Sequence, residues 1–302
     1  MAHNSASDLH DRIADRLDAS VHPAVAAFAR ALGEEAGAQA VLFYGSNLRT
    51  GSLDGVLDFY VLLPGDELGR VWPRVSYHER VIEGSDLRAK VATMALGTFR
   101  DAASGDLVDT TIWARFVQPS ALVWSRSDDA RAQVVQAIAS AAMTAARLAV
   151  ALGPPSGAAD DYWRALFRAT YKAEFRVEKQ GREDDILSVN TDHFAGLLPL
   201  ALKAGGIAFT RQEERISPSL TARERKQVLG WWKRRRRLGK PLNVARLVKA
   251  STTFDGAARY AAWKIERHTG MPVEVTPFRE KHPVLAAPGV LWSLRKHRKS
   301  RS

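Results

Sequence analysis

The sequence predicts an α+β protein in which a small mixed β-sheet is followed by a mainly α-helical part. Short apolar runs that suit strands alternate with helical patterns before residue 126, and helical periodicity dominates after residue 157. A Gly-Pro-Pro-Ser-Gly stretch separates the two regions, and such a stretch is typical of a linker. We therefore divide the chain into an N-terminal domain (1–126), a connecting helix and linker (127–156), a helical domain (157–282) and a basic tail (283–302).

The first residues predict helices that pack on the sheet. Apolar side chains recur at helical spacing, and Pro23 marks a break between two helical segments. A later helix should begin at Asp128 or Asp129 and end before Gly153. The apolar positions in the first two segments are Leu9, Ile13, Leu17, Val25, Phe28 and Leu32.

Two strand-like runs, 41–44 and 56–63, flank a turn rich in Gly, Ser and Asn. The small Gly45 and Ser46 would let backbone N–H groups approach a phosphate closely, and Asp58 could offer an oxygen ligand to a divalent metal. This pattern indicates a nucleotide and metal site. A plain strand-turn-strand hairpin would also explain it.

Further strands are expected at 90–96 and 107–117, and 66–79 is expected to be a helix or loop. Asp109 could face the same metal as Asp58, or it could be an exposed strand residue. Asp54 is a third candidate metal ligand, although a turn-forming role beside Gly55 would explain it equally.

Several short segments resemble one known family. Tyr44-Gly45-Ser46 followed by Leu57-Asp58-Phe59 is similar to the signature of the mitochondrial-type phosphatidate cytidylyltransferases, the translocator assembly and maintenance protein family. These enzymes are polymerase-β-type nucleotidyltransferases. Segments 171–176, 190–194 and 289–296 resemble later motifs of the same family in the same order. At the position of the family's next signature Gly, this chain has Asn47.

The resemblance implies a polymerase-β-like nucleotidyltransferase domain that transfers CMP from CTP to phosphatidic acid and releases pyrophosphate. It implies Mg²⁺ (or Mn²⁺) as the cofactor, bound by Asp58 with Asp54 or Asp109. Arg176 would hold phosphate oxygens, although it could equally pair with a nearby glutamate at the surface. The expected catalytic residues are Asp58, Ser46 and Arg176, and the expected nucleotide-binding residues are Tyr44, Gly45, Ser46, Tyr171 and Lys172.

Composition restricts the partners and the kinds of site. The chain of 302 residues carries a formal net charge of +11, which favours an anionic partner such as a nucleotide, a nucleic acid or phospholipid head groups. It contains no cysteine, which excludes disulfides, thiolate metal sites and cysteine nucleophiles. No uninterrupted apolar run of about eighteen residues is found, so we expect a cytoplasmic protein that binds the inner leaflet peripherally.

The helical part contains five consecutive cationic residues, 233–237, after two tryptophans. Membrane lipids or nucleic acid could accept this block through phosphate contacts, and a solvated helix face is the third interpretation. An apolar segment followed by basic residues ends the chain and suits an interfacial helix, or else a disordered basic end. The expected lipid contacts are Trp231, Trp232, Arg234, Arg235, Trp292, Arg295 and Lys296. The alternative function is an RNA-directed nucleotidyltransferase or a nucleic-acid-binding protein that uses Arg234 to Arg237.

Overall fold

A computed structural model describes residues 2–67, 69, 72–173, 182–253, 256–269 and 272–281. Helices α1 (Ala2–Leu17) and α2 (Pro23–Glu35) open the chain, as the spacing of their apolar residues predicts. Pro23 is the first residue of α2, where proline's missing N–H and fixed φ are tolerated. The six apolar residues that predicted these helices are all buried.

Five strands form the main sheet, in the order β3-β4-β2-β1-β5. The sheet is mixed, because β2 and β4 run parallel while the other neighbouring pairs are antiparallel. This arrangement confirms the predicted mixed sheet. The strands are β1 (Ala40–Tyr44), β2 (Leu57–Leu63), β3 (Arg74–Ile82), β4 (Ser85–Ala95) and β5 (Ser120–Ser125).

Alternating residues of the strands feed two hydrophobic clusters, one on each face of the sheet. On one face, Val41, Phe43 and Phe59 pack against α2. On the other face, Leu42 and Tyr60 join a larger cluster that includes residues of α1 and of the later helices. Because side chains on a strand alternate between faces, the even-numbered residues near Tyr60 share the face of this larger cluster.

Four helices complete the first half of the chain: α3 (Ser46–Thr50), α4 (Leu96–Ala103), α5 (Thr111–Phe116) and α6 (Asp128–Leu152). Two sequence-based predictions are wrong here. Segment 107–117 forms a loop and α5 rather than a strand, because its apolar residues Ile112, Trp113 and Phe116 pack at helical spacing into the core. Within 66–79, residues from Arg74 onward form β3 through pairing with β4, so the predicted helix or loop is wrong for this part of the segment.

The second half is helical, as predicted, with one exception. A three-stranded antiparallel sheet, formed by β6 (Gly157–Ala158), β7 (Phe209–Gln212) and β8 (Arg215–Pro218), lies among the helices and was not predicted. Its strands are too short to show a clear period in the sequence. The helices are α7 (Ala159–Ala173), α8 (Arg182–Val189), α9 (Thr191–Phe194), α10 (Leu197–Ala204), α11 (Ala222–Thr253), α12 (Ala257–Thr269) and α13 (Pro277–Lys281).

Helix α6 is central to the fold, because it packs against α1, α4, α5, α7, α10 and α11. The hydrophobic cluster around it contains residues from both predicted domains, such as Tyr60 of β2 and Trp163 of α7. By length and composition, α6 is also the one helix in the described ranges that could cross a membrane, although 72% of its most apolar window is buried inside the protein. Packing on several sides explains its apolar composition.

Candidate active site

Three polar side chains share one face of the sheet at its edge near the end of β1. Tyr44 ends β1 and pairs with Asp58 of β2, and Asp58 pairs with Lys90 of β4. All three lie at even-numbered positions, so they belong to the face that carries the larger hydrophobic cluster. The register therefore places an aromatic hydroxyl, a carboxylate and an ammonium side by side.

Gly45 lies directly beside the carboxylate of Asp58. Its φ of +91° belongs to the region that glycine adopts readily, and a Cβ at this position would stand 3.1 Å from Asp58 Oδ2. Only glycine leaves room here for the close approach. The backbone then turns into α3 at Ser46, so the predicted proximity of Gly45, Ser46 and Asp58 is confirmed.

Asn47 occupies the position of the related family's glycine, and it has a structural role. Its amide nitrogen donates hydrogen bonds to the backbone oxygens of Ser52 (2.9 Å) and Asp54 (2.8 Å). The side chain is only 8% exposed. It therefore holds the 52–54 turn against α3 and fixes the loop that connects Gly45 to Asp58.

The carboxylate of Asp58 is in an unusual electrostatic environment. Burial raises its pKa above the ordinary value for aspartate, while the positive charges of Lys90 and Arg115 oppose this increase. Within the described ranges, no hydrogen bond or ion pair holds the carboxylate. Asp58 is partly buried, and a desolvated carboxylate without such a partner is costly. Such groups concentrate at functional sites.

Arg115, on α5, extends the cationic surface beside Asp58. Its guanidinium donates a hydrogen bond to the hydroxyl of Tyr44 (2.9 Å) and lies over the rings of Tyr44 and Tyr60. Burial raises the pKa of Tyr44, so this hydroxyl stays protonated and orients Arg115 as a neutral acceptor. Tyr44 thus positions a cation, in addition to lining the pocket.

These residues line a pocket of about 580 Å³. Arg49, Lys90 and Arg115 contribute positive charge, and Asp58 and Asp185 contribute two carboxylates. The opposite wall comes from α8 and the turn after it. The complete lining consists of Tyr44, Gly45, Ser46, Arg49, Asp58, Lys90, Arg115, Gln118, Pro119, Asp185, Ile186, Val189 and Asn190.

Sequence analysis missed the three cations of this pocket. Arg49 follows the Gly-Ser turn, where a basic residue carries no special signal. Lys90 lies in a predicted strand, but only the pairing of β2 with β4 brings it to Asp58. Arg115 was missed because its segment was predicted to be a strand. The direction of its side chain depends on the helical conformation of α5.

Two of the three predicted metal ligands lie elsewhere. Asp109 is buried, and its Oδ1 accepts hydrogen bonds from the backbone nitrogens of Thr111 (2.8 Å) and Ile112 (3.3 Å) at the start of α5. Its other oxygen forms an ion pair with Arg246. Asp54 is exposed on the turn and does not line the pocket. Neither residue therefore fits the predicted role.

The surroundings of Asp58 do not fit a preformed metal site. Among the described residues, no group of three or more His, Cys, Asp or Glu side chains could hold a metal ion. A magnesium ion usually retains several water molecules and binds through one or two carboxylates plus substrate phosphates. Asp58 could supply one such carboxylate.

Two of the predicted nucleotide-binding residues, Tyr171 and Lys172, lie at the end of α7. Tyr171 packs against the hydrophobic cluster around α6, and Lys172 is exposed on α7. Neither residue lines the pocket, so their predicted nucleotide contacts are not found. Arg176 lies outside the described residues.

Helix α11 does not present its tryptophans to a lipid surface. Trp232 is 4% exposed and contacts the ring of Trp113, and the indole nitrogen of Trp231 donates a hydrogen bond to the backbone oxygen of Gly105 (3.2 Å). Arg235 is also buried and donates to the backbone oxygen of Leu107 (2.8 Å). The predicted lipid contacts of Trp232 and Arg235 are therefore wrong, because the helix turns these residues towards the core, and Trp231 is partly buried.

The exposed side of α11 keeps its positive charge. Arg234 remains a candidate contact for an anionic surface, together with other exposed cations of α11 for which no acidic partner is found among the described residues. They include Lys226, Lys233, Arg236, Arg237 and Lys240. Trp292, Arg295 and Lys296 fall outside the described ranges.

Comparison with known proteins adds no assignment to this geometry. No protein-family model matches the chain, and no curated protein matches it either. The resemblance of the 44–46 and 57–59 segments to the cytidylyltransferase signature therefore remains a hypothesis. The functional argument depends on the pocket itself.

Proposed function

We propose that this protein is a nucleotidyltransferase that binds a nucleoside triphosphate in the pocket around Asp58. The observation that carries the proposal is the close approach of the Gly45 backbone to the Asp58 carboxylate in a pocket that is also lined by Arg49, Lys90 and Arg115. A glycine with open backbone beside several cations suits a polyphosphate. The pocket volume of about 580 Å³ lies within the range of small-molecule sites.

The specific reaction we propose is transfer of CMP from CTP to phosphatidic acid. An oxygen of the lipid phosphate attacks the α-phosphorus of CTP, the bond to the β-phosphate oxygen breaks, and pyrophosphate leaves. The cytidine base and the lipid acceptor are inferred from the sequence resemblance, and the phosphate chemistry is inferred from the pocket.

The attacking phosphate is already an anion, so the reaction does not need a general base. The chain must instead hold the two anionic reactants together and neutralise the charge that builds on the leaving pyrophosphate. Lys90 and Arg115 lie close enough to Asp58 to act on the same phosphate groups. Tyr44 fixes the direction of Arg115 through its hydroxyl.

Asp58 would hold the magnesium ion that accompanies the triphosphate. When bound, such an ion polarises a phosphoryl oxygen and aligns the reacting groups. Burial raises the pKa of Asp58, and a bound cation would lower this pKa again because it favours the ionised carboxylate. This is consistent with a cation-binding role.

A second candidate function is nucleotidyl transfer to RNA, and the exposed face of α11 favours it. This face carries Lys226, Lys233, Arg234, Arg237 and Lys240, whereas Trp232 is buried and Trp231 is partly buried. A purely cationic surface suits a polyphosphate backbone at least as well as a bilayer. Flotation with anionic liposomes, compared with RNA binding at the same ionic strength, would distinguish the two acceptors.

The direct test is incubation of the purified protein with labelled CTP, magnesium and phosphatidic acid. We expect an organic-extractable labelled product, with little product when ATP, GTP or UTP replaces CTP. Replacing Asp58→Asn should reduce the rate on the order of 10²- to 10³-fold, as for loss of one strong electrostatic contact in a transition state.

Asp54→Asn is the matched control, because Asp54 is an exposed carboxylate on the neighbouring turn. Its activity should equal that of the unmodified protein. Equal activity of the Asp58→Asn variant would refute the role of Asp58. Labelled RNA without a labelled lipid product would support nucleotidyl transfer and would show that RNA, not phosphatidic acid, is the acceptor.

A further inference from the structure

We infer that a second pocket, located on α6 away from Asp58, binds a small oxyanion such as phosphate. The pocket has a volume of about 200 Å³ and is lined by Ser104, Ser140, Thr144 and Arg147, together with Met143, Gly205 and Ile207. None of these residues lines the pocket around Asp58. The inference does not depend on the proposed nucleotidyl transfer.

The polar residues of this pocket form a stripe on an otherwise apolar helix. Ser140, Thr144 and Arg147 are spaced by four and three residues, so they lie on one face of α6. The residues between and around them are mostly alanine, valine and leucine, many of them buried. Thr144 is buried, whereas Ser140 and Arg147 are partly exposed, and polar atoms that are buried are normally paired.

These side chains have no hydrogen-bond partner within the described residues. Arg147 Nε is buried without a hydrogen bond, and the hydroxyls of Ser140 and Thr144 form none either. Burial lowers the pKa of Arg147, which means that its charge is poorly solvated. The guanidinium lies over the ring of Trp231, with its carbon 5.2 Å from the ring centroid.

The neighbourhood carries more positive than negative charge. Arg235 lies on the same indole, 3.9 Å from the centroid, and its pKa falls to about 10 because of burial and the charges of Arg147 and Arg234. The carboxylate that acts on both arginines is Asp106, which is exposed and accepts a hydrogen bond from Ser104 (2.6 Å).

Both arginines have a buried Nε without a hydrogen bond, and the other guanidinium nitrogens distinguish them. Arg235 donates hydrogen bonds to the backbone oxygens of Gly105 and Leu107, whereas Arg147 has no such acceptor. An anion in the pocket would receive charge-assisted hydrogen bonds from Arg147 and ordinary ones from Ser140 and Thr144. The volume lies below the usual range for sites of larger organic ligands, so a single phosphate or sulfate group fits better than a nucleotide.

The test is titration of the full chain with inorganic phosphate by isothermal calorimetry. Phosphate could also enter the pocket around Asp58, so the same titration is made with the Arg115→Gln variant, which leaves the α6 pocket unchanged. We expect this variant to retain phosphate binding. Arg147→Gln should weaken the retained component at least about tenfold, because it removes a charged hydrogen-bond donor.

Matched variants separate a binding role from a structural one. Lys203→Gln removes an exposed cation of nearby α10 and should bind phosphate normally. Thr144→Val keeps the shape of the side chain and should weaken binding, which preserves the test if Arg147→Gln does not fold. Without phosphate, Arg147→Gln should melt at the same temperature as the unmodified protein or higher, because an unpaired buried charge is removed.

The source of the anion is addressed by two further titrations. Glycerol 3-phosphate tests a free phosphate ester, and vesicles that contain phosphatidic acid test a lipid head group. Binding of either ligand that is lost in Arg147→Gln supports the site. Unchanged phosphate binding by both Arg147→Gln and Thr144→Val would overturn the inference.

Discussion

Polar residues serve opposite purposes in the pocket around Asp58 and in the contact between α11 and the loop that precedes α5. In the contact, Asp109, Arg235 and Arg246 have partners inside the protein, which include backbone groups and an ion pair. In the pocket, Asp58 has neither a hydrogen bond nor an ion pair among the described residues. The comparison indicates that a carboxylate in a sequence motif is a stronger functional candidate when the folded protein gives it no hydrogen bond or ion pair.

The largest expected effect concerns Trp232. Its substitution distinguishes a role in core packing from a role in membrane anchoring. Trp232→Ala should lower the free energy of unfolding by about 3–5 kcal/mol, because a large buried side chain is lost. Denaturant unfolding measures the change. The neighbouring exposed Lys233→Ala is the control and should stay within about 0.5 kcal/mol. A stable Trp232→Ala variant that no longer binds vesicles would restore the anchoring role.

The second prediction concerns Asp109. Asp109→Ala should destabilise the protein by about 2–4 kcal/mol, because α5 loses its cap and Arg246 loses its counter-charge in a mostly buried position. Asp109→Asn keeps an oxygen for the backbone nitrogens of α5 and should lose less. Thermal unfolding in parallel measures both. Equal stability of all three proteins, with lost activity in both variants, would point back to a metal ligand.

The third prediction tests the exposed face of α11. The double variant Arg234→Gln, Arg237→Gln should weaken binding to anionic vesicles by about 2 kcal/mol, since each basic residue near such a surface contributes about 1 kcal/mol. Co-sedimentation at several salt concentrations measures this loss, which should shrink as salt screens the charges. A double substitution of the exposed Arg30 and Lys172 to Gln removes the same charge elsewhere and should bind nearly normally. Identical binding by both double variants would remove α11 from the membrane contact.

The smallest expected effect is the pH dependence that Asp58 causes. Burial raises its pKa, so the folded state binds this proton more tightly than the unfolded state. Above the raised pKa, the ionised carboxylate destabilises the folded state by its full amount. This destabilisation disappears as the pH falls to the ordinary pKa of aspartate and below it. Relative to Asp58→Asn, the unmodified protein should therefore gain stability on acidification. The opposite trend would show that Lys90 and Arg115 outweigh burial.

The sequence by itself determined most of the secondary structure and the central contact of the site. Helical spacing located α1, α2 and α6, and the small residues Gly45 and Ser46 after a strand located the turn beside Asp58. These features are local, because periodicity and backbone freedom depend on residues close together in the chain.

Only the tertiary structure decided which polar residues share the pocket. Lys90 and Arg115 reach Asp58 through strand pairing and through α5, and α8 supplies the opposite wall. The same folding directs Trp232 and Arg235 inward, although they lie in a block that looks like a surface anchor. The physical reason is that a helix with cations all around it gives no signal for its buried side, which depends on the surface it packs against.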